Sequence, residues 1–232
     1  MPAVQHVANV VPPEVPDVPH AHYAADDWAS VTIVGDVHGC HTRLRTLLDA
    51  LAVEADDLVV FVGDLVRKGP DSKAVVDLVT SRANLVSVRG NNEQKLIDTP
   101  GGGAGLARAD VRALAGWPVV ITVDESVVVH AGVDPTSSLA AQRTRTLQSV
   151  RRSHGSFWWE QYTGPHQVYF GHTPVEAPIL TAHAIGLDTG CVYGGDLTAL
   201  RMGEETLIRV DADGAVRRKR IPQQRRVHPP RL

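Results

Sequence analysis

The chain has 232 residues, 43 % of them hydrophobic, and a formal net charge of −3, which suits one globular domain with tails. No apolar run approaches the roughly 18 residues of a membrane span, and the N-terminus lacks the charged-then-apolar pattern of a signal peptide. Two cysteines, Cys40 and Cys191, exclude a disulfide scaffold and fit a reducing, cytoplasmic setting. Charge is uneven: seven of the 23 Lys and Arg lie at or beyond Arg217, whereas Asp213 alone of the 26 acids lies past residue 212. The acidic body argues against a nucleic-acid groove.

Residues 1–30, with Pro12, Pro13, Pro16 and Pro19 and no helical period, predict an irregular arm, tacked down by Tyr23 and Trp28. A first strand follows at about 31–35 and runs into Gly35-Asp36-Val37-His38-Gly39. Leu44, Leu47, Leu48 and Leu51 are spaced for one helix face. Leu58 to Val62 is a second strand, ending at Gly63-Asp64. Pro70 opens a helix through Ala74, Val75, Leu78 and Val79. Leu85 to Val88 is a third strand, ending at Arg89-Gly90-Asn91-Asn92-Glu93. This alternation predicts an α/β fold with a parallel sheet and polar groups at the strands' C-terminal ends.

Gly101-Gly102-Gly103 predicts a loose loop, and about 106–115 a helix. Val119 to Val123 and Ser126 to Val129 form a hairpin ending at His130-Ala131-Gly132. Residues 138–162 are expected to be mostly helical. Gln167 to Phe170 is a strand ending at Gly171-His172-Thr173. Strands at Ala184 to Leu187, Leu197 to Met202 and Leu207 to Val210 complete a body of 31–212. Residues 213–232 form a basic tail, whose Arg217-Arg218-Lys219-Arg220 is taken as a solvated terminus.

Asp36, His38, Asp64, Asn91, His130 and His172 all close predicted strands. Mixed oxygen and nitrogen donors of this kind suit Mn, Fe, Zn or Mg. Six are too many for one catalytic metal with open positions, but suit two divalent ions sharing a carboxylate, the machinery of phosphate ester and anhydride hydrolysis. Cys40 and Cys191 are taken as small buried fillers, and Trp158, Trp159 and Tyr162 as core packing.

These motifs, in this order, resemble the calcineurin-like metallophosphoesterases, in the branch with symmetrical diadenosine tetraphosphatases and their bacterial and archaeal relatives. Gly63-Asp64-Leu65-Val66-x-Lys68-Gly69-Pro70 and Leu187-Asp188-Thr189-Gly190-Cys191-Val192-Tyr193-Gly194-Gly195 strengthen the match, which spans about 31–202. The resemblance implies a β-sandwich flanked by helices. It places Asp36 and His38 on one metal, Asn91, His130 and His172 on a second, and Asp64 between them. It favours Mn, with Fe, Zn, Ni, Co or Mg also suitable, and a small phosphorylated substrate: a nucleoside polyphosphate or other phosphoanhydride. The alternatives are a phosphomonoesterase acting on phospho-Ser/Thr or RNA ends, and a metal- and nucleotide-binding module with little turnover. Arg89 and Arg151 resemble phosphate-binding positions, and Arg67 and Lys68 join them as substrate-binding candidates. Many relatives carry a general-acid His after the metal-binding Asn, oriented by an Asp three residues past the bridging Asp. Here those places hold Asn92 and Arg67, which with Asp64 are the candidate catalytic residues. His41, one helix turn from His38, is the candidate substitute acid.

Overall fold

Runs of β-branched residues buried on both sides organise the chain. In the computed structural model, which describes residues 13–99 and 104–221, they build two six-stranded sheets packed face to face, with helices outside each. In chain order the elements are β1 (His20–Tyr23), β2 (Ser30–Val34), α1 (His41–Leu51), β3 (Asp57–Phe61), α2 (Ser72–Thr80), β4 (Leu85–Ser87), α3 (Asn91–Asp98) and α4 (Arg108–Ala115). They continue with β5 (Val120–Val123), β6 (Ser126–Val129), α5 (Thr144–Ser149), β7 (Arg152–Ser153), β8 (Ser156–Phe157), α6 (Trp158–Gln161), β9 (Val168–Phe170) and β10 (Ile179–Leu180). The last are β11 (Ala184–Gly186), β12 (Leu197–Arg201), β13 (Thr206–Val210) and β14 (Val216–Arg220).

One sheet has the order β14-β13-β12-β2-β3-β4, the other β1-β5-β6-β9-β11-β10. Side-chain alternation divides the core. In β3, Leu58 and Val60 face the opposite sheet, where they meet Ile121, Val128, Tyr169 and Ile185. Val59 and Phe61 face the other way, onto Leu44, Leu47, Val75 and Val79 of α1 and α2. The second sheet does the same: Val127 and Val129 of β6 pack outward on Leu147, Trp158 and Phe170. Each such side chain, fully buried, contributes about 1.5–3 kcal/mol. The chain therefore has a helix-sheet-sheet-helix layering, the predicted flanked sandwich.

Three expectations change. The arm is not irregular throughout: β1 pairs in parallel with β5, while Tyr23 and Trp28 meet edge to face and pack on the inter-sheet core as expected. The tail is not all solvated terminus either, since β14 pairs antiparallel with β13. Residues 138–162 are only partly helical, because the β7–β8 hairpin separates α5 from α6. The Gly101–Gly103 loop, residues 1–12 and residues 222–232 lie outside the described residues. The helix after Pro70 begins at Ser72, because the Asp71 side chain accepts from Ala74 N at 3.1 Å and caps it. Among the described residues, no helix is long and apolar enough to cross a membrane.

Candidate metal centre

β2, β3 and β4 run parallel in one sheet, as do β6, β9 and β11 in the other. Their C-terminal ends deliver Asp36 and His38, Asp64, Asn91, His130 and His172 to one place. Ligand atoms of Asp36, His38 and Asp64 all lie within 4.8 Å of one another, and so do those of Asp64, His130 and His172. Asp64 belongs to both groups. Its Oδ2 is 3.5 Å from His38 Nε2 and its Oδ1 is 3.3 Å from His130 Nε2. Asn91 Oδ1 stands 2.9 Å from both His130 Nε2 and His172 Nδ1. All six predicted ligands are thus brought together.

The histidines are aimed from behind. Val66 O holds His38 Nδ1 at 3.1 Å and Val62 O holds His130 Nδ1 at 2.8 Å, which turns each Nε2 toward the carboxylates. Such outer partners fix ring orientation in metal sites. The backbone is forced as well. His38, Asp64, Arg67, Lys68 and His172 all have positive φ, between 47° and 68°, and non-glycine strain of this kind gathers at functional sites. Two glycines admit the carboxylates: a Cβ on Gly171 would lie 1.9 Å from Asp36 Oδ1, and one on Gly90 2.3 Å from Asp64 Oδ1.

Two further buried acids of these motifs, Glu93 and Asp188, shape the site. Glu93, 0 % exposed, accepts from the backbone N–H groups of Asp64, Leu65, Val66 and Gly90 at 2.8–3.2 Å. It therefore shapes the loop that presents Asp64. Asp188 follows β11 and accepts from Gly190 N at 3.1 Å. Capping bonds like these leave no periodic trace in a sequence. A run of strand-end acids was the available signal, and Asp188 carries it.

The electrostatics ask for cations. Burial, then the charge of Asp188, pushes the Asp36 carboxyl well above the usual range, and burial pushes up Asp188 itself. Glu93 is raised to about 7 by burial and by Asp64. Burial opposes charge on His130, yet the Asp64 carboxylate hydrogen-bonded to it, with Asp36, holds its pKa at about 10. The same pairing lowers Asp64 against its burial. Burial, then His130 and Arg151, lowers His172 to about 3, so it is a neutral donor. In the second group the carboxylates therefore favour positive charge at His130. In the first, the Lys68 ammonium stands 2.8 Å from His38 Nε2. Each group thus has a positive stand-in at a ligand nitrogen, and the oxygen and nitrogen donor set fits a divalent ion in each.

The remaining candidates make different contacts. Lys68 reaches the centre, and Arg151 donates to His172 O at 3.3 Å. Arg89 instead donates to Ala115 O at the end of α4. Asn92 is buried: its N–H donates to Asp64 Oδ1 at 2.8 Å and its Nδ2 to Asp64 Oδ2. Arg67 is half-buried, its backbone N–H tied to Ser72 Oγ at 2.8 Å. His41 opens α1 and lines a neighbouring cavity.

The family model of the calcineurin-like phosphoesterases matches residues 29–215. The chain belongs to this family. It is similar to the asymmetrical bis(5'-nucleosyl)-tetraphosphatase PrpE of Halalkalibacterium halodurans, at 30 % identity over 74 % of this chain and 89 % of that one. It is also similar to serine/threonine-protein phosphatase 1 of Salmonella typhimurium, at 27 % identity over 81 % and 98 %. Among solved structures, one described as a "putative diadenosine tetraphosphatase" superposes with a TM-score of 0.74 and 28 % identity, over 87 % of this chain and 97 % of that one. The chain is a phosphatase of the metallophosphoesterase fold. The PrpE relative carries the designation asymmetrical, where the motifs suggested the symmetrical enzymes.

Proposed function

We propose that the protein hydrolyses a phosphoanhydride bond of a dinucleoside tetraphosphate. Asp36, His38 and Asp64 would hold one divalent ion, and Asp64, Asn91, His130 and His172 a second. Two such ions polarise phosphoryl oxygens and make water a usable nucleophile near neutral pH. The mixed oxygen and nitrogen donors suit Mn, Fe, Zn or Mg, and the family resemblance favours Mn among them. Lys68 and Arg151 supply positive charge beside the ligands, where substrate phosphates would sit.

The observation that carries this reading is the seat of Asn92. Its side chain is buried and committed to Asp64, and an amide donates no proton near neutrality. A leaving group that needs protonation, such as a serine alkoxide, is poorly served. A nucleotide phosphate leaves unaided, because its second pKa is only about 6. The PrpE relatives support the nucleotide, and their designation supports cleavage of diadenosine tetraphosphate with one water into AMP and ATP. A second reading, phosphoserine or phosphothreonine hydrolysis, is favoured by the Salmonella relative. Incubation with diadenosine tetraphosphate and Mn²⁺, with products separated by ion exchange, decides between them. AMP and ATP are expected. Two ADP would restore the symmetrical mode, and turnover of a phosphoserine peptide without turnover of the dinucleotide would overturn the anhydride reading.

A further inference from the structure

The other aromatic side chains are buried or half-buried; Tyr193, at 62 % exposed, is a conspicuous departure. It ends a 3-10 turn, Cys191–Tyr193, set between Gly190 and Gly194, whose φ values of 72° and 93° suit glycine. The turn is held firmly from behind. Arg43 Nη1 donates to Cys191 O at 2.5 Å and to Gly195 O at 2.9 Å, and Thr189 Oγ1 donates to Asp196 O at 2.7 Å. Packing therefore does not require the ring, and the backbone presents it at a fixed place.

That place is beside the metal centre. Lys68 Nζ stands 2.8 Å from His38 Nε2 and 5.2 Å from the centroid of the Tyr193 ring. Ring and imidazole are separated by no more than one ammonium group. Next to them opens a cavity of about 570 Å³ lined by Cys40, His41, Lys68, Pro70, Cys191 and Val192, a size usual for small-ligand sites. An exposed aromatic face one charged group away from a phosphate-handling centre suits a ligand with phosphate at one end and a flat ring at the other.

Resting on the proposed function, we propose that Tyr193 is the stacking platform for a nucleobase of the substrate, the residue by which the enzyme favours a nucleotide over a bare phosphoanhydride. Lys68 now lies over the ring as a cation-π partner. A bound phosphate draws that ammonium toward itself and leaves the ring face to the base. Stacking of this kind tolerates any base, because every base has a π-face.

The test compares AMP with ribose 5-phosphate, each titrated calorimetrically into the full chain in the presence of chelator, so that neither is hydrolysed. Wild type should prefer AMP by roughly 5- to 100-fold. Tyr193→Ala should erase most of that preference, and Tyr193→Trp should keep it. In kinetics with Mn²⁺, the KM for diadenosine tetraphosphate relative to that for inorganic tripolyphosphate should rise by a similar factor in Tyr193→Ala, with a much smaller change in the kcat ratio. Equal affinity of wild type for the two ligands, or an intact AMP preference in Tyr193→Ala, overturns the proposal and leaves the ring as a partner of Lys68 only. If wild type leaves the dinucleotide uncut, the proposed function falls, while the binding comparison still decides the role of Tyr193.

Discussion

The two halves of the metal centre are built differently. The first group, Asp36, His38 and Asp64, comes entirely from the ends of β2 and β3, adjacent parallel strands paired over five residues. The second straddles the sandwich: Asp64 and Asn91 come from one sheet, His130 and His172 from the other. Local strand pairing therefore places the first group, with one tie across the sandwich where Asp36 accepts from His172 N–H at 3.2 Å, while the second draws its ligands from both sheets, packed across Leu58, Val60, Ile121 and Val128. Asp64 joins a local half to a long-range one.

The largest effect should follow from attacking that joint. Asp64→Asn removes the charge that both groups share and, with metal present, should cost more than the roughly 10- to 100-fold typical of outer-sphere changes. A fall of orders of magnitude in kcat with an unchanged circular dichroism spectrum is expected. Near-wild-type turnover would show that the two groups work separately. Glu93→Gln comes next. It replaces the acceptor of four backbone N–H groups with an amide that matches only part of them, so the Asp64 loop loosens while the ligands remain. Activity should fall about 10- to 100-fold and recover partly at high Mn²⁺. A full loss that no metal concentration relieves would place Glu93 in the chemistry itself.

A core change separates the halves. Val128→Ala opens a cavity between the sheets two residues before His130 and should lower stability by about 1–3 kcal/mol. Because the second group spans that packing, its metal affinity should weaken more than that of the first. Metal titration should resolve one site shifted and one in place; equal shifts would remove the distinction between local and long-range halves.

The same distinction explains what the sequence reveals. The local half is legible: β2 and β3 are apolar β-branched runs, and each ends in Gly and Asp, so Asp36, His38 and Asp64 announce themselves. His130 and His172 also close apolar runs, which grouped them with the acids as donors, but nothing in their spacing says which ion they share, and only the resemblance assigned them with Asn91 to the second. The elements that escaped notice lack an apolar period. β14 is Val-Arg-Arg-Lys-Arg and exposed along its length; its charges protect a sheet edge, and in a sequence they look like a terminus. β1, His-Ala-His-Tyr, is half-buried and hidden among prolines. α3 begins Asn-Asn-Glu and buries little apolar surface beyond Leu96. Its polar first turn serves the site: Asn91 faces the histidines, Asn92 binds Asp64 and Glu93 cradles the loop.

Asn92 gives the prediction with the smallest effect on the anhydride and the sharpest on other substrates. General acid catalysis contributes about 10²–10⁴-fold, and it matters most when the departing oxygen is strongly basic. The Asn92 amide donates to Oδ2, the Asp64 oxygen that faces His38, so it steadies the shared ligand and protonates nothing. Arg67, permanently charged, occupies the sequence position at which the resemblance puts an orienting Asp for a His at 92, so the two positions should be changed together. A series from p-nitrophenyl to alkyl phosphates should show wild-type rates falling steeply as the leaving group becomes more basic. Asn92→His alone should flatten the slope little, because nothing orients the imidazole. Arg67→Asp/Asn92→His should flatten it clearly, with diadenosine tetraphosphate turnover changing only a few-fold. If wild type cleaves phosphoserine peptides as fast as the dinucleotide, a proton donor is already present, and His41→Ala, which should then steepen the slope, tests the nearest imidazole along the chain.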